Sequence, residues 1–147
     1  MRPPDRNAGF TLLEMLAALA VIALAAAISI PALRPPSDAM RLEAAARQMA
    51  AAMRLTRARA IATNAELDFV VDTRALSYKA SSLAETRLPS DFNVKMTVAA
   101  IHRAGAQGAV RFLPDGGSSG ADIELRVGRQ LARINVNWLT GEAEVRR

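Results

Sequence analysis

The sequence predicts an α+β protein in which a long N-terminal helix packs on antiparallel β-sheet. The 21 residues 10–30 contain one ionisable side chain, Glu14, so they predict an apolar helix of about 31 Å. Small and apolar residues then recur at spacings of four and three up to Thr63, which predicts a second, amphipathic helical segment. The remaining sequence alternates between polar and apolar residues, which is typical of strands with one face in water.

The predicted length of the apolar helix matches the thickness of a hydrocarbon core, about 30 Å. Placing the charged side chain of Glu14 in such a core costs free energy. On insertion scales a carboxylate at the centre of a spanning helix costs about 2.5–3.5 kcal/mol, and less near an end. Such a charge indicates a functional site when a partner can be named. Cleavage between Gly9 and Phe10 would create an α-amine one helical turn from Glu14. That amine, in the same chain or in a neighbouring one, could neutralise the carboxylate.

The stretch Gly9-Phe10-Thr11-Leu12-Leu13-Glu14, after a short basic leader, resembles the class III signal of type IV pilins and type II secretion pseudopilins. The resemblance implies that a prepilin peptidase cuts after Gly9 and that the amine of Phe10 is methylated. It implies that Glu14 then guides assembly into a helical filament. It also matches Pro31 to a proline that bends the helix in many members.

The resemblance further implies the order of segments and their location. Residues 1–9 would be a cytoplasmic leader peptide, and residues 10–30 a transmembrane and assembly helix that crosses the inner membrane once. Residues 31–63 would be the second half of the N-terminal helix after the proline bend, and residues 64–147 a periplasmic β domain. The charges that flank the apolar segment do not decide its orientation.

An ordinary secretory signal peptide is the alternative for the N-terminus. Arg2 and Arg6 would form its basic region, and the alanines at 25–27 an A-x-A cleavage site. A secreted enzyme released in this way would begin near Ile28. The apolar run is longer than the usual 7–15 residues of such a signal and contains a carboxylate, which favours the pilin-type signal.

Composition limits the kinds of function that remain. The chain has 147 residues, no cysteine and a formal net charge of +5, so disulfides and thiolate metal sites are excluded. The positive charge is almost all arginine, since Lys79 and Lys95 are the only lysines. A basic balance is compatible with nucleic acid, with anionic lipid and with a solvated surface.

Prolines at 31, 35 and 36 predict a break after the apolar run, and Ser37 with Asp38 supplies N-cap chemistry for a new start. The second helical segment is predicted from Ala39 to Thr63, with Asn64 as its stop. Its packed face has the 4-3 spacing Leu42, Ala46, Met49, Met53, Thr56 and Ala60.

The strand pattern predicts one antiparallel meander. Residues 66–71 and 76–80 form a hairpin, 81–87 an exposed connection, 92–101 a third strand and 103–108 a loop. Further strands are predicted at 109–113, 122–127, 131–138 and 142–145. The strand at 131–138 places Ile134, Val136 and Trp138 on one face.

Two C-terminal segments, 112–120 and 137–141, resemble the signatures of the minor pseudopilin H group, whose domain is shared with FimT-like pilins. The loop residues that carry this similarity are Pro114, Asp115, Gly116, Ser118, Ser119, Gly120, Trp138, Leu139, Thr140 and Gly141. The resemblance implies a minor pseudopilin of a type II secretion system, with other pseudopilins as partners.

A FimT-like minor type IV pilin that binds DNA is the second function considered. Its motivation is the cluster of C-terminal arginines, namely Arg126, Arg129, Arg133, Arg146 and Arg147. Few aromatic side chains lie outside the membrane helix, so phosphate contacts would dominate such binding.

The residues favour a structural protein over an enzyme, with no cofactor and no metal. The glycine-rich loop at 115–120 lacks the lysine and the spacing of a P-loop, so it is predicted to be a tight turn. Asp115 and Asp122 are too few for a calcium site. His102 is the only histidine, and no neighbouring residue is placed to orient it for catalysis.

Overall fold

The computed structural model describes residues 10–29, 35–80, 84–98 and 103–146. It divides into two compact units, Met1–Pro36 and Ser37–Arg147. Gly9 and Pro31, the predicted cleavage and bend residues, lie outside the described residues.

The first unit contains α1, Leu12–Ser29. Thr11 caps it, because its Oγ1 accepts a hydrogen bond from the Glu14 amide at 3.2 Å and its carbonyl accepts one from the Met15 amide at 3.1 Å. The T-x-x-E spacing is that of a capping box. None of the helices in the described ranges combines the length and the hydropathy that a membrane crossing requires.

The second unit begins with α2, Asp38–Thr63, which ends at the predicted residue and begins one residue before the predicted Ala39. Ser37 is the N-cap, and its side chain accepts from the Met40 amide at 3.3 Å. Asn64 closes the helix in the left-handed conformation, with φ 49°, as expected for an asparagine stop. The predicted 4-3 face is buried in full, together with Ala50.

Nine strands follow in the described part of the chain: β1 Leu67–Asp72, β2 Ser77–Ala80, β3 Thr86–Arg87, β4 Phe92–Thr97, β5 Arg103–Ala104, β6 Gln107–Phe112, β7 Ala121–Val127, β8 Gln130–Val136 and β9 Ala143–Arg146. They form two antiparallel sheets. The first has the order β3-β2-β1-β6-β5, and the second the order β4-β7-β8-β9. The predicted β1–β2 hairpin is confirmed, with Phe69 opposite Ala80.

The prediction of one continuous meander was wrong. β4 opens the second sheet, β5 and β6 return to the first beside β1, and the chain then crosses to β7. The prediction that residues 103–108 form a loop was also wrong, because they include β5 and the start of β6. Gly108 lies within β6, where a Cβ atom would approach the Met96 sulfur to 2.8 Å. This glycine permits close packing between the sheets and does not break a strand.

Other observed strand boundaries also differ from the predicted ones. The connection predicted at 81–87 ends in the short strand β3, which pairs with β2. β4 stops at Thr97, and residues 99–101 of that predicted strand lie outside the described residues. β8 stops at Val136, so Trp138 does not share the buried face of Ile134 and Val136.

The core lies between α2 and the two sheets. Met49 and Met53 from the helix and Phe69, Phe112 and Ile134 from the strands are fully buried. Full burial of an aliphatic or aromatic side chain contributes about 1.5–3 kcal/mol each. All buried side-chain nitrogen and oxygen atoms of the described residues have a hydrogen-bond partner. The second unit therefore has its own apolar core, and the buried polar side-chain atoms that are described in it are hydrogen-bonded.

Candidate assembly site

Two surface loops meet against the C-terminal half of α2. We call this the signature junction: Arg57 of α2, residues 113–120 between β6 and β7, and residues 137–141 between β8 and β9. The loops join directly, because the Ser118 amide donates to the Trp138 carbonyl at 2.8 Å. The Ser118 hydroxyl donates to the Asn137 carbonyl at 3.0 Å and accepts from the Gly120 amide at 3.1 Å. Ser118 is buried, so this pairing is shielded from water.

Arg57 is hydrogen-bonded to the first loop and lies close to the second. Its Nε donates to the Gly116 carbonyl at 2.8 Å. The Gly141 backbone lies so close that a Cβ atom there would overlap the Gly116 carbonyl oxygen and come within 2.9 Å of the Arg57 Nε. Gly116 and Gly141 also have φ angles of 90° and 64°, which L side chains rarely adopt. Two separate requirements therefore select glycine at position 141: the positive φ angle and the lack of room for a Cβ atom.

The second loop is a tight turn organised by Asn137. Its Oδ1 accepts the amides of Leu139 at 2.8 Å and Thr140 at 3.2 Å. Its carbonyl accepts the Gly141 amide at 2.8 Å. This arrangement holds Trp138 and Leu139 on the outside of the turn, where they are 69% and 67% exposed. The junction thus presents two large apolar side chains on a rigid backbone.

The first loop is fixed by its own polar side chains. Asp115 Oδ1 accepts the Gly117 amide at 2.8 Å, and Ser119 Oγ accepts the Arg111 amide at 3.0 Å. Arg111 in turn bonds Asp68 at 2.9 Å, with Glu66 at 3.3 Å. The hydrogen bond that Arg111 donates to the Asp68 carboxylate is the main cause that raises the pKa of Arg111. These contacts support the interpretation of residues 115–120 as a structured turn.

The structure brings together most of the residues predicted from the two C-terminal signatures. Asp115, Gly116 and Ser118 lie against the turn that contains Trp138 and Gly141. Pro114 is half-buried in the same loop. Phe10 and Glu14 belong to the other unit, Met1–Pro36. Arg57 was not predicted as a site residue, because the 4-3 pattern places it off the packed face of α2. A helical period reveals apolar packing, but it does not reveal a hydrogen bond to a distant carbonyl such as that of Gly116.

The C-terminal arginines that motivated DNA binding are interspersed with carboxylates. Arg126 and Arg133 both contact Glu124, at 3.8 and 2.9 Å, and Arg146 contacts Glu144 at 2.9 Å. Arg147 lies outside the described residues. Paired in this way, Arg126, Arg133 and Arg146 offer less net charge to phosphate than their number indicates.

The described ranges contain no group of three or more histidine, cysteine, aspartate or glutamate side chains that could hold a metal ion. Asp122, considered above with Asp115, instead accepts a hydrogen bond from Asn135 at 2.7 Å. His102 lies outside the described residues.

A helix packed on two antiparallel sheets, with paired loops at its C-terminal half, is a pilin-like fold. Two solved structures share this fold. One is the minor pseudopilin EpsH from the type 2 secretion system of Vibrio cholerae, with a TM-score of 0.59 and 10% identity over 72% of this chain and 96% of that one. The other is the type IV minor pilin FimU of Pseudomonas aeruginosa, with a TM-score of 0.56 and 10% identity over 72% and 88%. The predicted α+β pilin-like fold is confirmed.

The family follows from sequence matches. The prokaryotic N-terminal methylation motif matches residues 4–30, and the model of the type II transport protein GspH family matches residues 45–141. Type II secretion system protein H of Xanthomonas campestris pv. campestris is 38% identical over 135 residues, which cover 91% of this chain and 80% of that protein. The chain belongs to the GspH family. These matches favour the pseudopilin interpretation over the DNA-binding pilin.

Proposed function

We propose that this chain is a minor pseudopilin, a structural subunit of the type II secretion pseudopilus that takes part in protein export across the outer membrane. One observation carries the proposal: the chain matches type II secretion system protein H along 91% of its length. The signature junction supports it, because both loops and Arg57 lie inside the region 45–141 that the GspH family model matches.

A structural role, without catalysis or cofactor, agrees with the chemistry of the junction. The Ser118 hydroxyl and the side-chain oxygens of Asp115 and Asn137 all make hydrogen bonds within the loops. A nucleophile needs an adjacent base and an approach for substrate, and these oxygens are used to hold the backbone. What the junction offers to other molecules is the exposed pair Trp138 and Leu139.

The N-terminus is proposed to be processed before assembly. Prepilin peptidase would cleave between Gly9 and Phe10, and the new amine of Phe10 would be methylated. The match of the methylation motif to residues 4–30 supports this step. The new amine would lie one turn from Glu14, which sits in the first turn of α1. The partial positive charge of a helix N-terminus also favours a carboxylate there.

Residues 10–30 are proposed to anchor the subunit in the inner membrane, with the unit Ser37–Arg147 in the periplasm. The proposal is supported by the apolar sequence of this segment, in which Glu14 is the one ionisable side chain. In the assembled pseudopilus, Glu14 would pair with the Phe10 amine of a neighbouring pseudopilin. Removing the partner of a buried ion pair costs on the order of 3–5 kcal/mol. Assembly would therefore depend on Glu14 far more than insertion does.

The test compares Glu14→Ala with Glu14→Asp in cells that express the complete secretion system. We expect both variants to be processed to a methylated Phe10 terminus, as measured by mass spectrometry of the mature protein. Co-purification of Glu14→Ala with the other pseudopilins should fall at least tenfold, and secretion should fall with it. Glu14→Asp should retain most of both. Undiminished co-assembly of Glu14→Ala, or a mature terminus elsewhere, would contradict the proposal.

A further inference from the structure

An open shelf of about 550 Å³ lies on the second sheet, next to the signature junction. The residues used below are Thr97, Gly120, Asp122, Asn135 and Trp138, all of which line the shelf. Trp138 has an aromatic ring, and the side chains of Thr97, Asp122 and Asn135 have a hydroxyl, a carboxylate and an amide. Leu139 is as exposed as Trp138 but does not line the shelf.

Trp138 is held in place at the edge of this shelf. Its carbonyl accepts the Ser118 amide at 2.8 Å. Its Cβ faces Gly120, whose φ is 72° and where an added Cβ atom would come within 3.2 Å. The side chain nevertheless remains 69% exposed. An exposed indole on a fixed backbone is pre-organised to bind the flat apolar face of a ligand.

Three polar side chains form a row across neighbouring strands in the same shelf. Thr97 of β4 lies opposite Asp122 of β7, which lies opposite Asn135 of β8. The Asn135 amide donates to one oxygen of Asp122 at 2.7 Å. An ionised carboxylate has about four acceptor positions, and Asp122 is exposed to solvent, so it can accept further hydrogen bonds from a ligand.

We propose that this shelf binds a pyranose oligosaccharide. A pyranose ring presents a face of C–H bonds, which packs on an aromatic ring, and an edge of hydroxyl groups, which pair with carboxylate, amide and hydroxyl side chains. The row Thr97, Asp122 and Asn135 beside Trp138 offers both kinds of contact. A protein partner anchored by Trp138 would favour an apolar floor, and a nucleic acid would be repelled by Asp122. This inference does not depend on the proposed function.

The chain provides its own reporter, because Trp138 is its only tryptophan. The experiment titrates the full chain, in a detergent without sugar groups, with two probes and follows tryptophan fluorescence. One probe is a β-1,4-linked tetramer of N-acetylglucosamine, and the other an α-1,4-linked tetramer of glucose. We expect saturable binding of at least one tetramer with a Kd of about 1 mM. A preference for the first indicates an amino-sugar polymer, and a preference for the second a neutral glucan.

Variants measured by calorimetry separate the shelf from the general surface. Trp138→Ala and Asp122→Ala should each weaken binding by about tenfold, and Leu139→Ala, the matched control, should leave it unchanged. All three positions are exposed, and circular dichroism verifies that each variant is folded. The proposal is overturned if neither tetramer binds below about 10 mM. It is also overturned if Leu139→Ala weakens binding as much as Trp138→Ala. Processing and secretion are measured separately, so failure here leaves the pseudopilin function standing.

Discussion

Gly141 is the position where the smallest chemical change should have the largest effect on this domain. In Gly141→Ala, the new methyl group would overlap the Gly116 carbonyl oxygen and meet the Arg57 side chain at 2.9–3.0 Å. Holding alanine in the left-handed conformation costs about 1–2 kcal/mol. Displacing Arg57 also sacrifices its hydrogen bond to Gly116, worth about 1.5–3 kcal/mol for a charged donor. The free energy of unfolding should therefore fall by about 2.5–5 kcal/mol.

The assay is thermal unfolding of the second unit, Ser37–Arg147, followed by far-ultraviolet circular dichroism. A loss of about 2.5–5 kcal/mol corresponds to a decrease in Tm of about 10–20 °C for a domain of this size. Gly105→Ala is the matched control, because Gly105 also has a positive φ, 59°, but no atom lies within 4 Å of its would-be Cβ. It should lose only about 1–2 kcal/mol. Equal Tm values for the two variants would refute the packing argument and leave backbone conformation as the sole cause.

Three further substitutions test the core, the junction and the acid response. Met53→Ala removes a fully buried side chain and should destabilise the unit by about 2–5 kcal/mol in urea unfolding. Ser118→Ala removes the hydroxyl that donates to the Asn137 carbonyl and should cost about 1–3 kcal/mol; no loss would show that the loops are held by backbone contacts alone. The hydrogen bond from the Ala75 amide is the main cause that lowers the pKa of Asp72 in the folded protein. The ionised carboxylate therefore stabilises the fold at pH values above the unfolded-state pKa of about 3.9. That stability is lost as pH falls through the lower native pKa, and a Tm profile from pH 7 to 2 should be flatter for Asp72→Asn than for the wild type.

The elements that sequence could predict are those fixed by neighbours in the chain. The ends of α2 are set by Ser37 and Asn64, whose capping contacts span a few residues. The β1–β2 hairpin is likewise local, with Asp72 accepting the amides of Arg74 and Ala75 across the turn. In each case the residue type and the structure it forms lie within one turn of the chain.

The division into two sheets was not predictable in this way. β1 pairs with β6, so Phe69 lies opposite Val110, and a two-residue alternation says which face a residue occupies but not which strand lies beside it. Gly108 shows the same limit, because only the three-dimensional structure reveals that Met96 needs its space.

The candidate site was predicted in part. The two signature segments were found from their residues, but their contact through Ser118 and Trp138 joins positions 20 residues apart in sequence. Arg57 is a further 59 residues from Gly116, and no local pattern distinguishes it from the other helix arginines. Long-range hydrogen bonds to backbone carbonyls leave no periodic trace in a sequence.

The order of strands also has a consequence for how the chain matures. One edge of β1 pairs with β6, which lies about 40 residues later in the chain. β4, which lies between them in sequence, pairs with β7 in the other sheet. Closing loops of that length delays the gain from strand pairing, so a chain that emerges N-terminus first must keep β1 half-paired until most of the domain has appeared. Neither sheet can reach its final form before the other has begun.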